Sequence, residues 1–138
     1  MKVDNTMQSY LTSFVIPCYK SSQTIGTVVK EIEETMSGRE YEIILVNDSS
    51  PDDTFDSITE LCSGNSKIVG VNLNENFGQH AALMAGFHQV HGDVVVCLDD
   101  DGQTPACEVL KLLEEIEAGR DAVYARYANK KHSAFRNW

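Results

Sequence analysis

The sequence lacks several features, and each absence narrows what the chain can be. No continuous apolar run approaches the roughly 18 residues of a membrane-spanning helix. The opening residues, MKVDNTMQSYLTS, have no apolar signal core, so we expect a cytoplasmic protein. Low-complexity tracts, internal repeats and linker-like segments are also missing, which favours a single domain in a chain of 138 residues.

Clustered cysteine and positive charge are lacking as well. Cys18, Cys62, Cys97 and Cys107 are far apart and form no C-x-x-C pair, which favours reduced structural thiols over a zinc site. Eleven basic residues oppose 21 acidic ones, and the formal net charge is −10. This charge disfavours nucleic acid and anionic membrane surfaces as partners. A phosphorylated ligand can still bind if a metal ion separates the two sets of negative charge.

The sequence does contain a regular alternation of strand-like and helix-like segments. Short β-branched runs, almost continuously apolar, predict strands covered on both faces. These runs occupy residues 13–16, 41–46, 67–73, 93–98 and 121–125. Between them, apolar residues at helical spacing predict four helices. The first covers residues 25–36, and the second is capped by Ser50 and runs through Leu61. The third covers residues 81–87, and the fourth is opened by Thr104 and runs to residue 116. The order predicts an α/β fold with a mostly parallel central sheet and helices on both faces.

Polar and turn-forming residues follow the predicted strands. Pro17 and Tyr19 follow the first strand, Asp48 the second, Gly78 the third, and residues 99–103 the fourth. The carboxyl ends of parallel strands lie at one edge of a sheet, and ligands bind there near the point where the strand order reverses. We therefore expect one site built from four loops.

The segment VCLDDDGQTP, residues 96–105, places three acids directly after a strand. Their mutual repulsion would be offset by a bound divalent cation. Side-chain alternation directs Asp99 and Asp101 to one side and Asp100 elsewhere, with the amide of Gln103 close by. This all-oxygen set suits Mg²⁺ or Mn²⁺. A purely structural alternative is that the acids only end the strand and precede a helix cap.

Five segments occur in an order that resembles a known family: FVIPCYKS, EIILVNDSSPDDT, NENFGQHAALMAGF, GDVVVCLDDDGQTP and GRDAVYARY. Together they are similar to the nucleotide-binding half of family-2 glycosyltransferases, which have the Rossmann-like GT-A fold of nucleotide-diphospho-sugar transferases. NFGQHAALMAG most resembles the bacterial polyprenyl-phosphate subgroup, which is similar to dolichol-phosphate-mannose synthases. The resemblance makes residues 13–138 the nucleotide-sugar-binding half, in truncated form, and residues 1–12 an N-terminal tail.

The resemblance implies roles for the first three loops. Pro17 and Tyr19 would line the base pocket, with the tyrosine flanking the ring. Asp48 would accept a hydrogen bond from the imide N–H of the base. Gly78 and Gln79 would lie against the ribose and the diphosphate. A UDP-sugar is the favoured donor.

The resemblance also implies roles for the later segments. Asp99 and Asp100 would contact the nucleotide, while Asp99, Asp101 and Gln103 would hold Mg²⁺ or Mn²⁺. Arg126, in ARY, would contact a phosphate. No residue of this chain is assigned as a catalytic acid or base.

Some positions depart from the family pattern. Lys20-Ser21 stands where relatives often have Asn-Glu, and Asn47 replaces a common Asp. Asp100 replaces a common Ala, and Gly102 a common Leu. The departures at Lys20-Ser21 and Asn47 affect the expected base contacts, whereas Gly102 affects the loop expected to hold the metal.

The activity implied is inverting, metal-dependent sugar transfer from a nucleoside-diphosphate sugar to a polyprenyl phosphate or glycan acceptor in cell-envelope synthesis. Family members continue beyond this length with acceptor-binding strands and membrane-associated helices. We therefore expect a donor-binding fragment with little activity alone, which could dimerise through its truncated face. Its membrane-associated parent protein would lie at the cytoplasmic face of the inner membrane.

Two alternatives stay open at this point. A phosphatase of the haloacid dehalogenase type also uses D-x-D after a strand, and Asp99 would then be the nucleophile. A non-catalytic nucleotide-binding domain on the same fold is the other alternative.

Overall fold

The computed structural model describes residues 10–103 and 105–119. Within these ranges the chain forms four strands that alternate with four helices. The strands are β1 (Leu11–Cys18), β2 (Glu40–Asn47), β3 (Ile68–Asn72) and β4 (Val94–Cys97). The helices are α1 (Ile25–Thr35), α2 (Thr54–Gly64), α3 (Gln79–Phe87) and α4 (Cys107–Glu117). The fifth predicted strand, residues 121–125, lies outside the described residues.

The four strands form one parallel sheet in the order β3-β2-β1-β4. β1 pairs with β2 along its whole length, from Leu11 opposite Glu40 to Cys18 opposite Asn47. On its other side β1 pairs with the shorter β4. The strand order therefore reverses between β1 and β4. In an open α/β sheet, the crevice at the carboxyl ends of such a strand pair is where ligands bind.

Pro17 lies inside β1, not in the loop after the first strand as predicted. The pairing of β1 with β4 ends where Val15 is opposite Cys97, and the N–H of Leu98 donates to the Val15 carbonyl at 3.2 Å. Proline has no N–H with which to extend pairing between strands. Beyond this point the segments after β1 and β4 are joined by side chains and not by a strand ladder.

Apolar side chains cover both faces of the sheet, as the continuous apolar runs predict. The larger cluster lies where the sheet meets α1, α2 and α4, and the smaller one lies under α3. The larger cluster includes Phe14, Ile16, Ile25, Ile32, Ile43, Leu45, Ile58, Val109 and Leu113. Full burial of one such side chain contributes roughly 1.5–3 kcal/mol. Because all four strands are parallel, the loops that follow them emerge at the same, carboxyl-end edge of the sheet.

Helix α3 approaches the sheet closely because small residues face it. Ala82 and Gly86 are buried. A Cβ atom at Gly86 would lie 2.5 Å from Val15 Cγ1 and 3.1 Å from Val46 Cγ2. The predicted small-residue helix over 81–87 is present and begins at Gln79.

Several boundaries differ from the prediction. β1 begins at Leu11, inside the segment predicted to be a tail. α2 begins at Thr54 and not directly after Ser50, because Asp52 Oδ1 accepts the N–H of Thr54 while Ser50 bonds to Asn47 and to the N–H of Lys20. α4 begins at Cys107, and the predicted cap Thr104 lies outside the described residues.

Candidate functional site

Four loops meet at the carboxyl-end edge of the sheet. They are the β1–α1 loop (residues 19–24), the β2–α2 loop (48–53), the β3–α3 loop (73–78) and the β4–α4 loop (98–106), the last described except at residue 104. Hydrogen bonds connect each loop to at least one other, as the following contacts show. The expected convergence of the loops is therefore present.

The β1–α1 loop is bound to the β2–α2 region through its backbone. The N–H of Lys20 donates to Ser50 Oγ at 3.1 Å, and the N–H of Ser21 donates to Thr54 Oγ1 at 2.9 Å. Lys20 and Ser49 both have a φ of 55°, in the left-handed region. For a non-glycine residue this conformation costs roughly 1–2 kcal/mol. The hydrogen bonds between the loops offset that cost.

Asp100 connects the β1–α1 loop to the β4–α4 loop. Its Oδ2 accepts the N–H of Tyr19 at 2.9 Å, and its backbone carbonyl accepts Thr24 Oγ1 at 2.7 Å. Asp100 is buried, whereas Asp99 and Asp101 are half-buried. The predicted divergence of these side chains thus matches their burial. Burial raises the pKa of Asp100 to about 6, and the Tyr19 hydrogen bond offsets only part of that effect.

Asp48 connects the end of β2 to the start of α3. It is 0% exposed, and its two carboxylate oxygens accept the N–H groups of Phe77 and Gly78, each at 2.9 Å. The negative charge of this carboxylate also interacts favourably with the positive end of the α3 helix dipole. Gly78 has a φ of 98°, which disfavours any residue with a side chain. The sequence predicts that Asp48 contacts a base, and such a contact requires the Phe77–Gly78 turn to move aside.

The sequence reasoning missed a polar chain through Asn47. Its Oδ1 accepts both the N–H and the Oγ of Ser50, at 3.2 and 2.7 Å, and its Nδ2 donates to Asn72 Oδ1 at 2.8 Å. The sequence predicts a helix cap at Ser50, because Ser before Pro and two acids is typical of a helix start. In the parallel register, Asn47 lies opposite Asn72 at the ends of β2 and β3. Two asparagines at the ends of neighbouring predicted strands were the sequence signal that could have indicated this hydrogen bond.

Tyr19 and Lys20 form the outer surface of the β1–α1 loop. The Tyr19 side chain is half-buried, and Lys20 Nζ lies 5.3 Å from the centroid of its ring. Of the lysines and arginines in the described residues, only Lys20 lies in the four loops. A ligand that reaches the tyrosine ring would also meet this positive charge.

The donor atoms of the β4–α4 loop fit a hard divalent cation. Asp99 and Asp101 supply carboxylates, and Gln103 can add an amide oxygen. Asp101 Oδ1 accepts the N–H of Gln103 at 3.1 Å, which curls the loop around Gly102, whose φ is 76°. In residues 10–103 and 105–119, no three His, Cys, Asp or Glu side chains are placed to hold a metal. Substrate oxygens or water would therefore have to complete the coordination.

Two further predicted residues are Gln79 and Arg126. Gln79 is half-buried at the first position of α3. Arg126 lies outside the described residues. Within the described part, no helix has the length and apolar character needed to cross a bilayer.

The fold and the sequence together identify the class of protein to which this chain belongs. The model of the family described as "Glycosyl transferase family 2" matches residues 13–138, and the chain belongs to this family. This membership favours sugar transfer over the phosphatase alternative.

Among curated relatives, the chain is similar to the undecaprenyl-phosphate 4-deoxy-4-formamido-L-arabinose transferase of Pseudomonas fluorescens strain SBW25. The two are 39% identical over 94% of this chain. The chain spans only 39% of that relative's length.

Solved structures agree on the fold. Glucosyl-3-phosphoglycerate synthase from Mycobacterium tuberculosis, in complex with Mn²⁺, UDP and phosphoglyceric acid, matches with a TM-score of 0.65 and 22% identity. The match covers 81% of this chain and 42% of that one. A mannosyltransferase from Pyrobaculum calidifontis, in complex with GDP-Man and Mn²⁺, matches with a TM-score of 0.63 and 22% identity. This match covers 72% of this chain and 30% of the other. The chain therefore has the GT-A fold, as the resemblance implied.

Proposed function

We propose that this chain is the donor-binding half of a glycosyltransferase that moves a sugar from a nucleoside diphosphate to a polyprenyl phosphate in cell-envelope synthesis. The single observation that carries the proposal is the convergence of four hydrogen-bonded loops at the carboxyl-end edge of the sheet, with Asp99 and Asp101 in one of them. The name of the P. fluorescens relative supports the lipid-phosphate acceptor. The ligands of the two solved structures support a nucleotide donor.

In this proposal the β1–α1 loop binds the nucleobase. The half-buried Tyr19 ring would flank the base, and Pro17 would support the floor of the pocket from inside β1. Asp48 would accept the imide N–H of the base once the Phe77–Gly78 turn has moved. Such a buried acceptor discriminates between bases, because the wrong base leaves it without a donor. We favour uracil.

The diphosphate would lie between the β3–α3 and β4–α4 loops. Gly78 and Gln79 would approach it at the start of α3, where backbone N–H groups point toward an anion. Arg126 would contribute a further phosphate contact. Asp99, Asp101 and Gln103 would hold Mg²⁺ or Mn²⁺. When bound, such an ion neutralises charge on a diphosphate leaving group.

The proposed reaction is an inverting displacement in which the acceptor oxygen attacks the anomeric carbon from the face opposite the diphosphate. A phosphate acceptor is already anionic and requires no general base. The contribution of this chain would then be to position the donor and to keep the leaving group in line. We propose that the acceptor site and the membrane contact lie in the remaining length of a protein at the cytoplasmic face of the inner membrane.

Calorimetric titration of the chain with UDP, GDP and UDP-sugars, with and without Mn²⁺, tests the proposal. We expect one nucleoside diphosphate, UDP by preference, to bind in a Mn²⁺-dependent manner. Asp101→Asn should abolish the gain from Mn²⁺, while the control Asp56→Asn, an exposed acid on α2, should keep it. Full affinity in Asp101→Asn would refute the metal assignment. If the wild-type chain bound none of these nucleotides, the donor-binding function would be refuted.

A further inference from the structure

The side chain of Asp100 is buried against the β1–α1 loop. It is 5% exposed, and its Oδ2 lies 2.9 Å from the backbone nitrogen of Tyr19. This hydrogen bond crosses the crevice between the ends of β1 and β4. A buried carboxylate is retained at a cost unless hydrogen bonds compensate it, and here the compensating donor belongs to the β1–α1 loop.

The same residue holds the other end of that loop. The hydroxyl of Thr24 donates to the Asp100 carbonyl at 2.7 Å. Residue 100 is therefore bonded to both the first and the last residue of the β1–α1 loop. Between these two ends lies Lys20, whose φ of 55° is unfavourable without external support. Asp100 thus holds the two ends of a loop whose middle is held by Ser50 and Thr54.

We infer that Asp100 is a positioning residue for the nucleotide: through the backbone N–H of Tyr19 and the hydroxyl of Thr24, it holds the β1–α1 loop against the β4–α4 loop. The binding surface is then formed before the ligand arrives, and the ligand does not have to order the loop. This inference rests on the proposed function and deepens it. It also replaces the direct nucleotide contact that the sequence predicts for Asp100.

The test compares two variants of Asp100, one that can accept the Tyr19 N–H and one that cannot. Asp100→Ala removes the acceptor, whereas Asp100→Asn keeps an oxygen that can accept the same bond. Asp93→Ala is the matched control, since Asp93 Oδ2 accepts the N–H of Leu11 at 3.0 Å at the opposite end of β1. UDP affinity in the presence of Mn²⁺ is measured by calorimetry at pH 8, together with the melting temperature of each variant.

We expect Asp100→Ala to weaken UDP binding by about tenfold, the effect of one lost hydrogen bond. Asp100→Asn should stay within about twofold of the wild-type chain, since the bond is retained, and Asp93→Ala should be unchanged. Amide hydrogen exchange at Tyr19 should be slow in the wild-type chain and in Asp100→Asn but fast in Asp100→Ala. This exchange readout does not depend on the ligand.

Wild-type affinity in Asp100→Ala would overturn the inference, and so would an Asp100→Asn variant as weak as the alanine one. If Asp100→Ala does not fold, Thr24→Val takes its place, because it removes the second bond and keeps the carboxylate. We expect severalfold weaker binding in Thr24→Val, and unchanged binding would also overturn the inference. A wild-type chain that binds no UDP would refute the proposed function itself, and that failure is visible before any variant is made.

Discussion

Replacing Asp48 with asparagine should destabilise the protein more than its small change in shape suggests. The wild-type carboxylate is fully buried, and each oxygen accepts one backbone N–H, from Phe77 and from Gly78, at 2.9 Å. Asparagine can accept one of these N–H groups with its oxygen. Its NH₂ group would then face the other N–H, and two donors would be left without an acceptor.

The size of the effect follows from the bonds that are lost. A hydrogen bond to a charged group contributes about 1.5–3 kcal/mol, and a stranded buried donor costs a similar amount. Removing a negative charge near the start of α3 costs a further 0.3–1 kcal/mol or so. We therefore expect Asp48→Asn to lower the free energy of unfolding by about 3 kcal/mol. With a urea m-value of about 1.5 kcal/mol/M, the unfolding midpoint would fall by about 2 M.

Urea unfolding followed by circular dichroism measures this difference. Asp53→Asn is the matched control, because Asp53 is an exposed aspartate at the N-cap of α2 and its side chain makes no capping bond. The control should change stability by less than about 0.5 kcal/mol. If Asp48→Asn were as mild as the control, the anchoring role assigned to Asp48 would be refuted.

Two further predictions concern the packing of α3 and the amino-end edge of the sheet. Gly86→Ala should cost about 1–3 kcal/mol in urea unfolding, because the new Cβ would lie 2.5 Å from a buried valine carbon; Gly26→Ala, with nothing within 4 Å, should be neutral or stabilising. Burial raises the pKa of Glu42, but hydrogen bonds from Ser13 and His91 outweigh it, and the net pKa lies below the ordinary 4.5. Stability from Glu42 is therefore present above pH 4.5 and lost as pH falls through the lowered pKa, so Glu42→Gln should cost about 2 kcal/mol at pH 7 and progressively less as the pH falls below 4.5. A cost that stays constant as the pH falls would contradict this assignment.

The order of strands and helices was predictable from the sequence because the apolar periodicity is local. A run such as residues 41–46 or 93–98 carries its own burial pattern, and the alternation with helices leaves few topologies. The different direction of the Asp100 side chain was also predictable from the sequence, since side-chain direction alternates along a strand. These features need no knowledge of distant contacts.

The features that escaped prediction depend on partners far along the chain. Ser50 carries a typical capping signal, yet its hydroxyl is engaged by Asn47 and by the N–H of Lys20, 30 residues earlier. His91 follows α3, and its backbone N–H donates at 2.7 Å to Glu42, 49 residues earlier, while its ring Nδ1 lies 3.1 Å from the same carboxylate. Local patterns cannot distinguish such hydroxyls and imidazoles from ordinary caps and surface residues.

The two bonds at Asp100 carry a practical consequence for anyone dividing or transplanting this fold. Both ends of the β1–α1 loop are held by a residue about eighty positions downstream. A peptide that stops before β4 would leave the Tyr19 amide without its acceptor. Residues 19–24 transferred to another scaffold would lack the two hydrogen bonds to Asp100. The smallest transferable unit of this site is therefore the whole span from β1 to the β4–α4 loop.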